Sequence, residues 1–194
     1  MRHRIASLLA VCILTAAPPA WCAAYKIDPD HSAVTFKIRH LFSKVSGTFN
    51  EFSGSFVYEP DHPEQWSAEA VVQTASINTR VEARDKHLRS ADFFDVEKVP
   101  TMTFKSTQVT DATPTAAKLH GILTLHGVER PVILDLQILG EGKDPWGNVR
   151  AGFTAATTIN RKEFGIIWNK VGETGQLLLG EDVDILLEVE GVKQ

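Results

Sequence analysis

Apolar and polar residues alternate along almost the whole chain after Tyr25, and this period of two constrains the fold more than any other feature. Val34, Phe36 and Ile38 alternate with Thr35, Lys37 and Arg39, and Val132, Leu134, Leu136 and Ile138 with Ile133, Asp135 and Gln137. The same rhythm runs through 149–155 and 183–189. Successive side chains of a strand point to opposite faces, so these rows read as half-buried strands with one apolar and one wet face. When such strands close on themselves, the edges vanish and the apolar faces turn inward. Ala68, Ala70, Gly121, Ala151 and Ala155 interrupt the apolar rows with small residues and leave the interior underfilled. A barrel with an apolar hole is expected; the competing arrangement is a barrel filled by its own side chains.

Strands are predicted at about 25–28, 32–41, 47–58, 66–74, 101–110, 116–126, 130–140, 147–159 and 177–191, with turn residues such as Asp28-Pro29-Asp30 and Asp144-Pro145-Trp146-Gly147 between them. Phe49 and Phe52 both face inward only if a bulge falls near Asn50 and Glu51. One segment departs from the pattern. Thr79 to Arg89 has helical spacing: Thr79 and Glu82 form a capping box, Glu82–Lys86 and Asp85–Arg89 are i,i+4 pairs, and Val81 with Leu88 forms a thin apolar stripe. Asp85 lies between those two, where a structural hydrogen bond is its expected role. Ser90 should cap a short turn that carries Phe93 and Phe94 inward, and Asn160 to Phe164 reads as another short turn.

The N-terminus is read separately. Arg2 and Arg4, the apolar run Ile5–Ala17 and a small-residue stretch ending at Ala24 make an export signal at 1–24, cleaved near Ala24. The run is too short for the ~20 residues of a membrane-spanning helix. Cys12 and Cys22 leave with the signal, so the expected mature domain, 25–194, has neither disulfide nor thiol. It keeps 18 basic against 24 acidic residues, and such an acidic balance argues against a nucleic-acid partner.

Taken together, His31-Ser32-x-Val34-x-Phe36, Gly47-x-Phe49-x-x-Phe52-x-Gly54, Arg84-Asp85-x-His87-Leu88-x-Ser90-x-Asp92-Phe93-Phe94-Asp95, Gly121-x-Leu123-Thr124-Leu125-His126-Gly127-Val128 and Asn160-Arg161-x-x-Phe164-Gly165 resemble the YceI-like family of exported polyisoprenoid-binding proteins. The resemblance covers most of the mature sequence. It implies an all-β fold, a lipocalin-like antiparallel barrel of about eight strands with one short helix, at about 79–89, and short helical turns. It further implies a periplasmic location and an apolar channel for an isoprenoid chain, a quinone tail or a related lipid, with no catalytic residue set and no cofactor beyond that lipid.

Strand parity nominates Phe36, Ile38, Phe52, Phe56, Trp66, Met102, Phe104, Leu123, Leu125, Leu134, Leu136 and Phe153 as inward residues, and His40, Ser106 and Thr157 share that parity. Arg80, Arg84 and His87 fall at i, i+4 and i+7, a cationic stripe able to meet an anionic head. The histidines lack metal-ligand spacing, and there is no G-x-S-x-G elbow, so neither a metal centre nor a serine nucleophile is expected. The leading expectation is a periplasmic lipid carrier; a second copy of the chain is a candidate partner. Alternatives are a lipid-modifying enzyme using the same pocket, an outer-membrane barrel with outward apolar residues, and a stress-related interaction protein with an exposed Phe or Trp patch.

Overall fold

A computed structural model of the chain describes residues 23–172 and 175–194; the expected export signal lies outside them, apart from Ala23 and Ala24. Eleven strands form one sheet: β1 (Ala24–Ile27), β2 (Ala33–His40), β3 (Ser43–Phe49), β4 (Phe52–Val57), β5 (Ser67–Gln73), β6 (Ile77–Asn78), β7 (Thr101–Thr110), β8 (Ala116–Leu125), β9 (Val128–Lys143), β10 (Val149–Asn160) and β11 (Leu179–Lys193). Every pairing is antiparallel, and β1 joins β11 to close the ring. Three of the staves are kinked, which reduces eleven segments to an eight-stranded barrel. Both β1 and β2 lie along β11, on either side of a turn at Pro29–His31. β3 and β4 lie along β2 and β1, and β5 and β6 along β4 and β3, broken by a turn at Thr74–Ser76.

The break between β3 and β4 is the bulge that parity demanded. Asn50 and Glu51 leave the ladder, and Phe49 and Phe52 both reach the interior. A two-residue interruption restores inward facing after a three-residue spacing, and the two residues are bonded outside the ladder: Asn50 N donates to Ser76 O, Glu51 N to Ser76 Oγ, and Glu51 O accepts from Gln73 N. The predicted third strand therefore starts earlier, at Ser43, after a hairpin whose Leu41 takes φ 47° and whose Phe42 is 90% exposed.

The helix α1 (Glu82–Arg89) is shorter than predicted, and three expectations about it are corrected. Thr79 is no cap: it is buried, its amide and hydroxyl both donate to Asp85 Oδ1, and the N-cap position falls to Val81 without a side-chain bond. Val81 is 46% exposed, so of the two stripe residues only Leu88 packs against the core. Arg89 does not pair with Asp85; its guanidinium donates to the carbonyls of Ala75 and Ile77. Asp85 has the structural hydrogen bond expected of it. Ser90 Oγ accepts from Asp92 N at the turn that buries Phe93, and Asn160 caps the short turn Arg161–Phe164, both as the sequence indicated.

Inside, the barrel is not uniform along its axis. One half is solid. Tyr25 stacks on Phe56 with centroids 5.0 Å apart, Phe153 meets Phe56 and Tyr58 edge-on at 5.3 and 4.9 Å, and Tyr58 lies 4.8 Å from Trp66, whose Nε1 donates to Glu59 O. Ala117, Ile138 and Ala151 fill the space around these rings. Edge-to-face pairs contribute ~0.5–1.5 kcal/mol each beyond the area they bury, so this plug is a main source of stability.

Candidate functional site

Beyond the plug the interior opens into a cavity of ≈ 360 Å³, within the ~300–1,000 Å³ of ordinary ligand pockets. Its wall is nearly all apolar: Phe36, Ile38, Phe52, Ala70, Met102, Phe104, Leu123, Leu125, Leu134 and Ile185 face it from seven strands. The strands supply these side chains because their inward rows continue past the plug. Strand β10 shows the change along one row: Ala151 and Phe153 sit in the plug, Thr157 and Ile159 on the cavity wall, and Arg161, just past the strand, at the end away from the plug. Over that end lies α1 with Leu88 and His87, next to Phe93 and Trp168. His87 contacts both rings edge-on, at 5.0 and 4.9 Å.

Of the residues nominated from sequence, Phe36, Ile38, His40, Phe52, Met102, Phe104, Leu123 and Leu125 line this cavity, and so do Arg84 and His87. Phe56, Trp66 and Phe153 do not. They point inward as parity predicted, but their places along the strands put them in the plug. Leu136 packs against the plug too, and Ser106 Oγ is occupied by accepting from Ala68 N at 2.8 Å. Arg80 leaves the stripe with Arg84 and His87 because the helix starts only at Glu82. Arg80 takes φ 66° before it, donates its amide to Asn78 and stays exposed outside the barrel. Four small residues expected to leave room do not: Ala68 and Ala155 pack in the core beside Leu119 and Leu134, and the other two are Ala151 and Gly121. Ala151 is 1% exposed within the plug, and a Cβ on Gly121 would fall 2.4 Å from the Phe104 ring. Phe104 lies over Gly121, so a ring fills volume that was expected to be empty, and Gly47 seats Phe36 in the same way. Ala70 does open onto the cavity.

Two guanidinium groups line the otherwise oily wall, and their surroundings differ. Arg84 donates from Nε to Thr79 Oγ1 (2.7 Å) and from Nη2 to Thr79 O (2.8 Å), while the Thr79 hydroxyl donates a hydrogen bond to the Asp85 carboxylate. The charge of Arg84 is thus balanced through one hydroxyl. Arg161, 3% exposed, escaped the sequence reading as a site residue. Its Nε donates to Gly180 O at 2.9 Å and its Nη1 to Ile166 O at 2.6 Å, and its Nη2 is buried with no partner. Burial pushes its pKa below the ordinary arginine value, against the pull of Glu181. Glu181 itself is held below its usual carboxylate range by Lys162, whose Nζ lies 2.5 Å away. Leaving a buried donor unpaired costs on the order of 1–3 kcal/mol. The signal that could have drawn attention to Arg161 is a lone arginine two residues after the inward Ile159, on the same parity.

A YceI-like domain model matches residues 25–191, nearly the whole of this barrel. The chain belongs to the YceI-like family. A UPF0312 protein of Pseudomonas paraeruginosa is 41% identical over the full length of both chains, and one of Pseudomonas putida is 44% identical over all of this chain and 99% of its own. Among solved structures, a Campylobacter jejuni YceI protein is 30% identical with a TM-score of 0.69, covering 80% of this chain and 90% of its own. A polyisoprenoid binding domain from Saccharophagus degradans shares the fold at 16% identity, with a TM-score of 0.66 over 89% of this chain and 99% of its own.

Two other features of this YceI-like barrel bear on what it can do. Asp28, His31 and Glu190 present ligand atoms within 4.8 Å of one another. Arg150 already fills that position: its Nη1 donates to Asp28 at 2.7 Å and to Glu190 at 2.6 Å, and its Nε donates to Asp144 at 2.8 Å. A guanidinium in the middle of the cluster is what these carboxylates hold. Secondly, the exposed aromatics do not form one patch. Phe42 caps the β2–β3 turn at the cavity end, and Trp146, 81% exposed, lies in the β9–β10 turn at the plug end. The outward rows carry Lys37, Lys105, Lys118 and Asp135, the reverse of the lipid-facing surface of a membrane-spanning barrel.

Proposed function

We propose that this protein binds a long-chain isoprenoid or quinone-type lipid in the barrel cavity and, once exported to the periplasm with loss of its N-terminal signal, shelters or carries that lipid there. The observation that carries the reading is a cavity of ≈ 360 Å³ with an almost wholly apolar wall, stopped at one end by an aromatic plug. Such a wall needs no specific polar contact to hold a hydrocarbon. Each buried methylene gains ~0.8 kcal/mol, so ten chain carbons supply ~8 kcal/mol before ordering losses. The naming of the Saccharophagus degradans neighbour as a polyisoprenoid binding domain supports the same ligand class. The reading is of binding: on the α1 wall Arg84 is bonded to Thr79, Thr79 to Asp85, and His87 to Asp92 at 2.8 Å.

The test is organic extraction of protein purified from a periplasmic fraction, followed by mass spectrometry, together with uptake of an added polyprenol or quinone. A co-purified or stoichiometrically bound polyprenyl-type lipid, recovered unaltered, is expected. Protein that carries no lipid and takes none up refutes the reading, and a lipid recovered chemically changed favours an enzyme instead.

A further inference from the structure

The two arginines on the cavity wall are not equivalent, and the difference bears on the ligand's head. A buried charge is tolerated when a counter-charge and hydrogen bonds compensate it. Arg84 reaches Asp85 through Thr79. Arg161 has only the carbonyls of Gly180 and Ile166, and the nearby Glu181 is engaged by Lys162. A guanidinium offers five donors in a planar fork that matches an oxyanion. That of Arg161 has Nη2 left over, buried and without an acceptor among the described residues. It stands at the end of the cavity away from the plug, where the head of a chain with its tail against the plug must lie.

We propose that Arg161 is the head-group anchor of the cavity and that it selects isoprenoid lipids with an anionic head, a phosphate or carboxylate, over neutral ones. This rests on the reading that the cavity holds an isoprenoid tail. The guanidinium supplies a charge-assisted bond in a site sheltered from bulk water, where such bonds are strongest. A head that pairs with Nη2 must part the side chains now covering it, and Gly180 O and Ile166 O hold the fork in place as it does so. His87 does not compete for this role, because its Nε2 is paired with Asp92.

The experiment compares geranylgeraniol with geranylgeranyl monophosphate, equal in tail, by calorimetric titration of the intact mature protein. The wild type should bind the monophosphate about tenfold or more tightly than the alcohol. Arg161→Gln should bring that ratio close to one, while Arg84→Gln should keep it. A wild type that binds both lipids equally overturns the anchor and leaves the lipid-binding reading intact, whereas one that binds neither overturns the reading itself. A folded Arg161→Gln variant that keeps the preference also overturns the proposal. Should that variant fail to fold, the wild-type ratio and Arg84→Gln decide: a preference present in the first and kept in the second supports it, and its loss in either refutes it.

Discussion

Replacing Ala70 with Phe should block lipid binding while sparing the fold, and replacing Ala151 with Trp should do the reverse. Ala70 stands on β5 opposite Gly54, beside Phe104 of β7, and opens onto the cavity. A phenyl ring added there enters free volume and displaces about six chain carbons. At ~0.8 kcal/mol per methylene this removes up to ~5 kcal/mol of gross binding, and even a third of that is more than tenfold in affinity. Ala151 is 1% exposed among Tyr25, Phe56 and Phe153. An indole there has no space, and overpacking costs ~1–3 kcal/mol or more. Urea unfolding of both variants, with titration of a fluorescent polyprenyl analogue, separates the two effects. If Ala70→Phe unfolds the domain as badly as Ala151→Trp, the interior is packed throughout and the cavity does not exist in solution. If it folds and binds as the wild type does, the lipid lies elsewhere.

Gly121→Ala should destabilise by ~1–3 kcal/mol in chemical denaturation, because the new Cβ would meet the Phe104 ring at 2.4 Å and Lys105 O at 2.7 Å; adding Phe104→Leu should recover part of the loss. Acid should weaken the closed end of the barrel. The Arg150 guanidinium, helped by His31, holds Asp28 down at about 2, and Arg150 with Asn148 holds Asp144 well below the usual carboxylate range. A depressed folded pKa gives stability that is present above the unfolded value of ~3.9 and lost as pH falls toward the folded one. Denaturation midpoints should therefore drop between about pH 4 and 2, and Asp28→Asn should flatten that drop; an unchanged slope refutes the assignment. N-terminal sequencing of the exported protein should find cleavage before Ala23, not after Ala24 as the sequence alone suggested, since the Ala23 carbonyl accepts from Tyr58 N at 3.1 Å and its side chain is buried in the plug.

Parity made the facing of nearly every strand legible, but it gave no depth. Phe52 and Phe56 share a face of β4, yet one lines the cavity and the other the plug. Which level a residue occupies depends on barrel tilt and on register with both neighbours, which are properties of the closed ring. Small residues misled for a related reason. Gly121 looks like a gap in a one-dimensional reading, but across the sheet Phe104 fills it. The helix segment was found and its cap misassigned, because Thr79 could satisfy either the first turn of α1 or Asp85. The tertiary bond won, as it also supports Arg84. Arg161 was invisible as a site residue because an arginine after a strand is usually solvated, and only burial shows otherwise.

The uneven interior also sets a direction for the ligand. A tube open along its whole length would let a chain enter from either side. Here the stacked Tyr25–Phe56 pair and the edge-on Phe153 close one end, and on the outer face beside them the ion cluster around Arg150 ties Asp28, β10 and β11 together. Opening that end means breaking the aromatic plug, whereas the other end is covered by α1, a single short helix held by Leu88, the Thr79–Asp85 bond and the bonds of Arg89 to Ala75 and Ile77. On the proposed lipid-binding reading, the chain enters tail first beneath α1 and its head comes to rest at the level of Arg161. Chain length is then limited by the plug, so Ile27 and Val189, which line the cavity and pack against the plug, set how many isoprene units fit, while Arg161 at the mouth reads what those units are attached to.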